Sequence, residues 1–258
     1  MTPHLIAGLA LTGLVGASLG LLGAGGSIIM LPVLVYVLGM EPHAAVPLSL
    51  AIVGTTSLVG VAVNSKGSEI DWRTALIFGG AALGGSYLGS RLTVLVPGSV
   101  LLLSFGLLLV IVGFRMWREP DASDDTLRTR RRPSLMLAAG SLVGLLTGFL
   151  GVGGGFLIVP ALSRIGGLGM RQATASSLVV ITMSSVAGLA AHLAQGNGVS
   201  VGLAVPLTIA ALVGMAVGIQ GARHFSSDNL RRGFAGFVTS VGSALIIVNT
   251  PTAIRLLR

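Results

Sequence analysis

Charge is scarce in this chain. Only 9% of its 258 residues are Asp, Glu, Lys or Arg, against about a quarter in a soluble domain. So few charged groups cannot cover a surface in water, and lipid is the expected solvent. Aromatic residues are also few, at 5%, and there is no cysteine. The missing cysteine excludes disulfides, thiolate metal sites and Cys nucleophiles. Four His and eight acids, most of the acids in hydrophilic stretches, offer no metal-ligand spacing. No Ser stands in a recognisable Ser–His–Asp arrangement. No enzymatic activity, no cofactor and no metal are expected.

What is abundant is apolar residues, 53% of the chain, and glycine, with 39 copies. Small residues let transmembrane helices approach closely. The formal net charge of +8 does not point to nucleic acid, because most Arg residues lie in short stretches between apolar runs. Six of them fall between Arg115 and Arg132. In a membrane protein such positions carry orientation information. The first apolar run lacks the basic flank of a signal peptide and is read as a retained membrane segment.

Apolar runs of membrane length are Leu5–Leu22, the shorter Ser27–Leu38, Ala44–Val63, Ala75–Val96 and Val100–Trp117. A charged stretch follows, and then Leu135–Leu150, the short Phe156–Ile165, Ala173–Ala194, Val201–Gly221 and Phe234–Val248. The expected organisation is a first transmembrane repeat over 1–118, a charged cytoplasmic linker over 119–133 and a second repeat over 134–258.

The two halves match at a constant offset of 128, with 17 identities in 51 positions over Leu14–Asn64. Gly20, Gly23, Gly25 and Gly26 match Gly148, Gly151, Gly153 and Gly154. Pro32 matches Pro160, Gly39 matches Gly167, Ser49-Leu50 matches Ser177-Leu178, and Ser57 matches Ser185. If Leu5–Leu38 enters and leaves on one side, the second half is inverted. The Lys and Arg residues then divide 13 inside to 3 outside. If that stretch crosses once, the division falls to 10 and 6. The positive-inside rule favours inversion. Inverted repeats with short, Gly-interrupted segments are a pointer to secondary transporters.

Two groups of residues could hold an anion. The glycine clusters Gly23, Gly25, Gly26 with Ser27, and Gly151, Gly153, Gly154 with Gly155, leave backbone N–H groups free of Cβ shielding. At the start of a short helix such groups favour negative charge. Close helix packing or a tight turn would use the same glycines. The second group is a pair of helical stripes: Ser49, Val53, Thr56, Gly60 and Asn64, matched by Ser177, Ile181, Ser184, Gly188 and His192. Their hydroxyls could line an anion path or serve only to join helices. Thr55, Ser57, Thr182 and Ser185 lie beside the stripes. His43 and His192 are the candidates for proton coupling. Arg91 and Arg223 stand in similar sequence and read as interface anchors.

These residues resemble the sulfite exporter TauE/SafE family. The resemblance rests on Gly20-Leu-Leu-Gly23-Ala-Gly25-Gly26-Ser27 with Pro32 and Ala45-Val-Pro-Leu-Ser49-Leu50. It recurs in Gly148-Phe-Leu-Gly151-Val-Gly153-Gly154-Gly155 with Pro160 and Ala173-Thr-Ala-Ser-Ser177-Leu178. The family's Thr or Ser before the Ser-Leu pair is present as Ser176 and replaced by Leu48 in the first copy. The resemblance implies transport of sulfite, sulfoacetate or other organosulfonates.

The expected architecture is therefore an all-α integral membrane protein with two inverted repeats and about 8–10 membrane segments. Short re-entrant or broken helices are among those segments. It is expected as a multi-pass protein of the cell (inner) membrane. Its expected partners are a small-molecule anion, the lipid bilayer, protons as candidate coupling ion and a second copy in a homodimer. An anion channel on the same scaffold is the alternative, and a non-transport scaffold a weaker one.

Overall fold

The computed structural model describes residues 3–22, 27–65, 69–118, 133–151, 155–221, 236 and 238–250. Most of the charged linker and the glycines Gly23, Gly25, Gly26, Gly153 and Gly154 lie outside the described residues. Among the described residues every regular element is helical. The elements are α1 (Pro3–Leu22), α2 (Ser27–Pro32) continuing as a π-helical turn (Val33–Val37), α3 (Pro42–Asn64), α4 (Trp72–Thr93) and α5 (Gly98–Arg118). After the linker come α6 (Pro133–Leu150), α7 (Gly155–Arg164), α8 (Met170–Ala194), α9 (Val201–Gly221) and α10 (Val238–Thr250). Stretches in α1, α3, α5, α8 and α9 are long and apolar enough to cross a membrane.

Local chemistry sets several boundaries. Pro32 has no N–H to donate, and the chain widens there into the π-helical turn. Gly39 and Gly167, at matching positions, end the two broken helices with φ of 66° and 64°, a left-handed conformation that glycine adopts without Cβ strain. Pro42 occupies the first turn of α3, where a missing N–H costs nothing. Asp71 caps α4, its carboxylate accepting from the Thr74 N–H at 2.9 Å.

Glycine decides how the helices meet. A Cβ at Gly16 or Gly20 of α1 would overlap the carbonyl oxygens of Ala211 and Met215 in α9. From the other side, one at Gly214 or Gly218 would overlap those of Gly13 and Ala17. The pair α4–α6 repeats the pattern. Gly85 and Gly89 face the backbone of Ser141 and Leu145, and Gly144 and Gly148 face that of Ala82 and Ser86. Within each pair the contacts advance together, so the helices run parallel. Gly85 and Gly89 thus answer to Gly214 and Gly218, an offset of 129 in place of 128. In that register Arg91 matches Gln220, so the sequence pairing of Arg91 with Arg223 does not hold; Arg223 itself lies outside the described residues.

Two further crossings join the halves. In α3 and α8, Gly188 faces Leu50 and Gly60 faces Leu178, each with a would-be Cβ 3.1 Å from a leucine Cδ1. The order is reversed along the two chains, so this pair is antiparallel. In α5 and α10, Gly106 faces Ile246 and Gly242 faces Val110, again antiparallel. α3 and α8 are the most buried of the long apolar helices. On α9, by contrast, Val205, Ile209, Val213 and Val217 form an exposed apolar stripe, as a helix bordering lipid would.

Adjacent glycines in α4 offer a test. Around Gly84 nothing stands within 4 Å of a would-be Cβ, whereas at Gly85 the Cβ would strike the Ser141 carbonyl. Gly84→Ala should leave detergent-solubilised protein as stable or up to about 1 kcal/mol more stable. Gly85→Ala should cost at least about 1–3 kcal/mol. Thermal melts of the two variants would measure the difference, and equal melts would refute the contact.

Candidate functional site

Buried hydroxyls in a helix are usually occupied by the helix itself, by back-bonding to the carbonyl three or four residues earlier. All the stripe hydroxyls but that of Ser49 obey this. Thr56 donates to the Ile52 carbonyl at 2.7 Å, Ser177 to Thr174 at 2.7 Å and Ser184 to Ile181 at 3.1 Å. The neighbouring Thr55 and Thr182 do the same, to Ala51 and Leu178. These oxygens keep acceptor capacity only, which does not favour an anion.

Three hydroxyls along the α3–α8 pair are left over. Ser49, Ser57 and Ser185 are fully buried and have no hydrogen-bond partner. Ser57 and Ser185 are repeat counterparts, and Ser185 packs on Gly54, whose would-be Cβ stands 2.9 Å from the serine Cβ. A pocket of about 100 Å³ opens at this crossing, lined by Gly54, Thr55, Leu58, Thr182, Ser185 and Val186 among others. Leu58 and Val186 on its wall are more than half exposed, so it opens at the surface of the helix pair. Its wall is mostly apolar, and Ser185 supplies the one unpartnered hydroxyl among the lining side chains.

The structure therefore brings Thr55, Thr182 and Ser185, beside the stripes, to the pocket wall, and keeps Ser57 with Ser49, Thr56, Ser177 and Ser184 in the packed interior. The signal for Ser57 and Ser185 was present in the sequence as an identity between the repeats, but nothing in a sequence shows which hydroxyls their own helices occupy. Ser27 is buried at the start of α2. Gly151 closes α6 with φ of 67°, packed on Val46, and Gly155 opens α7. The stretches that precede these two short helices carry Gly23, Gly25, Gly26, Gly153 and Gly154 and lie outside the described residues.

The second repeat's broken hairpin is tied down by hydroxyls from α4. Ser90 donates to the Gly148 carbonyl at 3.1 Å and Thr93 to that of Phe149 at 2.8 Å. These are carbonyls at the end of α6 that the helix cannot satisfy alone. Ser86 reaches the Ser184 carbonyl at 2.6 Å. In α9 the residues in register with Ser86 and Ser90 are Met215 and Ile219, which carry no hydroxyl.

A family model described as sulfite exporter TauE/SafE matches residues 8–245. The chain belongs to the TauE/SafE family. A probable membrane transporter protein of Xylella fastidiosa is 34% identical over 244 residues, covering 91% of this chain and 92% of its own. The probable membrane transporter protein YdhB of Bacillus subtilis is 28% identical, covering 80% of this chain and 86% of its own. One of Methanocaldococcus jannaschii is 27% identical, covering 84% and 86%. No solved structure matches. Together with the apolar helices, membership of the TauE/SafE family makes this a multi-pass membrane protein of the transporter class.

Free and occupied hydroxyls predict opposite effects on stability. Ser86→Ala should destabilise by about 0.5–1.5 kcal/mol, by loss of a made hydrogen bond. Ser185→Ala removes a polar group that has no partner and should leave stability unchanged or raise it. Parallel melts of the two proteins would check the assignment, and a loss at Ser185 would show that its hydroxyl is in use.

Proposed function

We propose that this TauE/SafE protein is a secondary transporter of small sulfur-containing anions, sulfite or an organosulfonate, in the cell (inner) membrane. Its two halves are inverted repeats and work by alternating access. The observation that carries the reading is the antiparallel crossing of the repeat-matched helices α3 and α8, with Leu50 on Gly188 and Leu178 on Gly60. Equivalent helices of repeats inserted the same way would run parallel. The parallel pairs α1–α9 and α6–α4 exchange partners under the same relation, which supports one pseudo-two-fold axis in the membrane plane. Substrate sites in such proteins lie near the midplane at the repeat interface, beside broken helices. Here the corresponding place is the α3–α8 crossing, with Ser57 and Ser185 as free hydroxyls.

Those hydroxyls alone would not hold a charge, since burying an unpaired anion is costly. The further donors would be backbone N–H groups of the glycine clusters, Gly23, Gly25 and Gly26 on one side and Gly151, Gly153, Gly154 and Gly155 on the other. The substrate class rests on the family description. The acid-poor, Lys-poor spans agree with recognition by dipoles and hydroxyls. Protons are the candidate coupling ion, with His43 and His192 to carry them.

Proteoliposomes loaded with labelled sulfite or methanesulfonate should show saturable flux with counterflow, and Ser185→Ala should lower it at least tenfold. Flux without counterflow would indicate a channel on this scaffold, and no flux from folded protein would refute the substrate class. Topology has its own test. A single cysteine at Asn197, in this cysteine-free chain, should react with an impermeant reagent from outside. Reaction only from the cytoplasm would overturn the inverted arrangement.

A further inference from the structure

The two ends of the α3–α8 pair differ in how their polar groups are satisfied. At the end where α3 finishes and α8 begins, partners are matched. The Asp71 N–H donates to the Ser176 hydroxyl at 3.0 Å, the Asp71 carboxylate caps α4, and Arg171 stands 3.9 Å from Glu69. Asn64, the repeat counterpart of His192, donates to the Gly60 carbonyl at 2.8 Å.

The opposite end has no such matching. His192 is 1% exposed, and both ring nitrogens lack partners. Gln195, which caps the end of α8 three residues on, has both side-chain polar atoms buried and unpartnered. Residues three apart share a helix face. The antiparallel crossing, with Leu50 on Gly188, brings the start of α3 and its half-buried His43 alongside the end of α8. One described acid is close in sequence, the exposed Glu41.

An unpartnered buried polar group is costly, at about 1–3 kcal/mol each. Buried polar groups are normally hydrogen-bonded, and each exception needs an explanation. Four unpartnered atoms on two neighbouring residues are not explained by packing, because an apolar side chain of similar size would fill the space without the penalty. We propose that His43, His192 and Gln195 form a second ligand site for a small oxyanion, separate from the α3–α8 crossing, at the outer mouth of the path. Its donors are the Gln195 amide and the two imidazole N–H groups. An oxyanion accepts several such bonds at once, and bonds to a charged acceptor are roughly twice as strong as neutral ones. The site would capture the anion before it reaches the crossing. That the mouth faces outward, and that the oxyanion is the transported one, rest on the function proposed above; the cluster itself does not.

The test uses the full chain in nanodiscs, titrated calorimetrically with sulfite, sulfate and methanesulfonate, alongside proteoliposome flux. His192→Leu and Gln195→Leu should each weaken binding of the preferred anion at least tenfold, with melting temperature unchanged or raised. Gln195→Glu keeps the side chain's shape and adds a repelling charge, so it should abolish binding even if either Leu variant folds poorly. Asn64→Leu, at the matching place in the other repeat, should leave binding unaltered. In flux, the Gln195 variants should raise KM with little change in maximal rate. Wild-type affinity and KM in Gln195→Leu and Gln195→Glu would overturn the site while leaving transport standing. Binding lost in the variants of a protein that carries no flux would uphold the site and refute the transport reading. No binding of any of the three anions by the wild type would overturn the site outright.

Discussion

Backbone-to-backbone contact through glycine is the constraint on which the rest of the structure depends. In lipid there is no hydrophobic force between helices, because the tails are as apolar as leucine. Attraction comes from interhelical hydrogen bonds and from dispersion, which falls steeply with separation. Gly16, Gly20, Gly214 and Gly218 between α1 and α9, and their counterparts between α4 and α6, bring carbonyl oxygens to where a side chain would otherwise stand. Each parallel pair takes one helix from each repeat. The halves are therefore interlocked by their closest contacts, and α3 and α8 are left to cross between them.

That interlocking explains why polar groups are distributed as they are. With Gly148 and Phe149 so close to α4, the hydroxyls of Ser90 and Thr93 can reach the carbonyls at the end of α6. A chain with few charges uses serine and threonine as its means of satisfying buried backbone. Once those hydroxyls are assigned, the ones left unassigned stand out. Ser57 and Ser185 at the crossing, and His192 with Gln195 at one end, are unpartnered in surroundings where partnering is the rule.

Much of this was legible in the sequence. The five-plus-five organisation, the short segments around Pro32 and Pro160 and the matching of the halves follow from apolar run length and from glycine and proline, whose backbone consequences are local. What was not legible depends on the neighbouring helix. Gly84 and Gly85 are indistinguishable as letters, yet one faces open space and the other a carbonyl. Thr56 and Ser57 are both hydroxyls on α3, yet one is bonded to its own helix and the other has no partner. The one-residue drift of the repeat between α4 and α9 was hidden because the identities thin out there, and the pairing of Arg91 with Arg223 rests on a local Gly-x-Arg pattern at an offset of 132, outside either register.

The departure of Leu48 from the serine at Ser176 takes on meaning in this light. Ser176 accepts from the Asp71 N–H, and so ties the α3–α4 connection to α8. At the matching place in the other half Leu48 offers no hydroxyl, His43 stands where Arg171 stands, and no acid replaces Glu69. Two repeats with equal latches would favour neither mouth. An exposed ion pair such as Arg171–Glu69 contributes at most about 1 kcal/mol, and the Ser176 bond about as much again. Such amounts hardly affect global folding, but an equilibrium between two access states shifts tenfold for about 1.4 kcal/mol. Under the alternating-access function proposed above, duplication would supply two states of equal standing, and the substitutions that break its symmetry would set which of them is populated at rest.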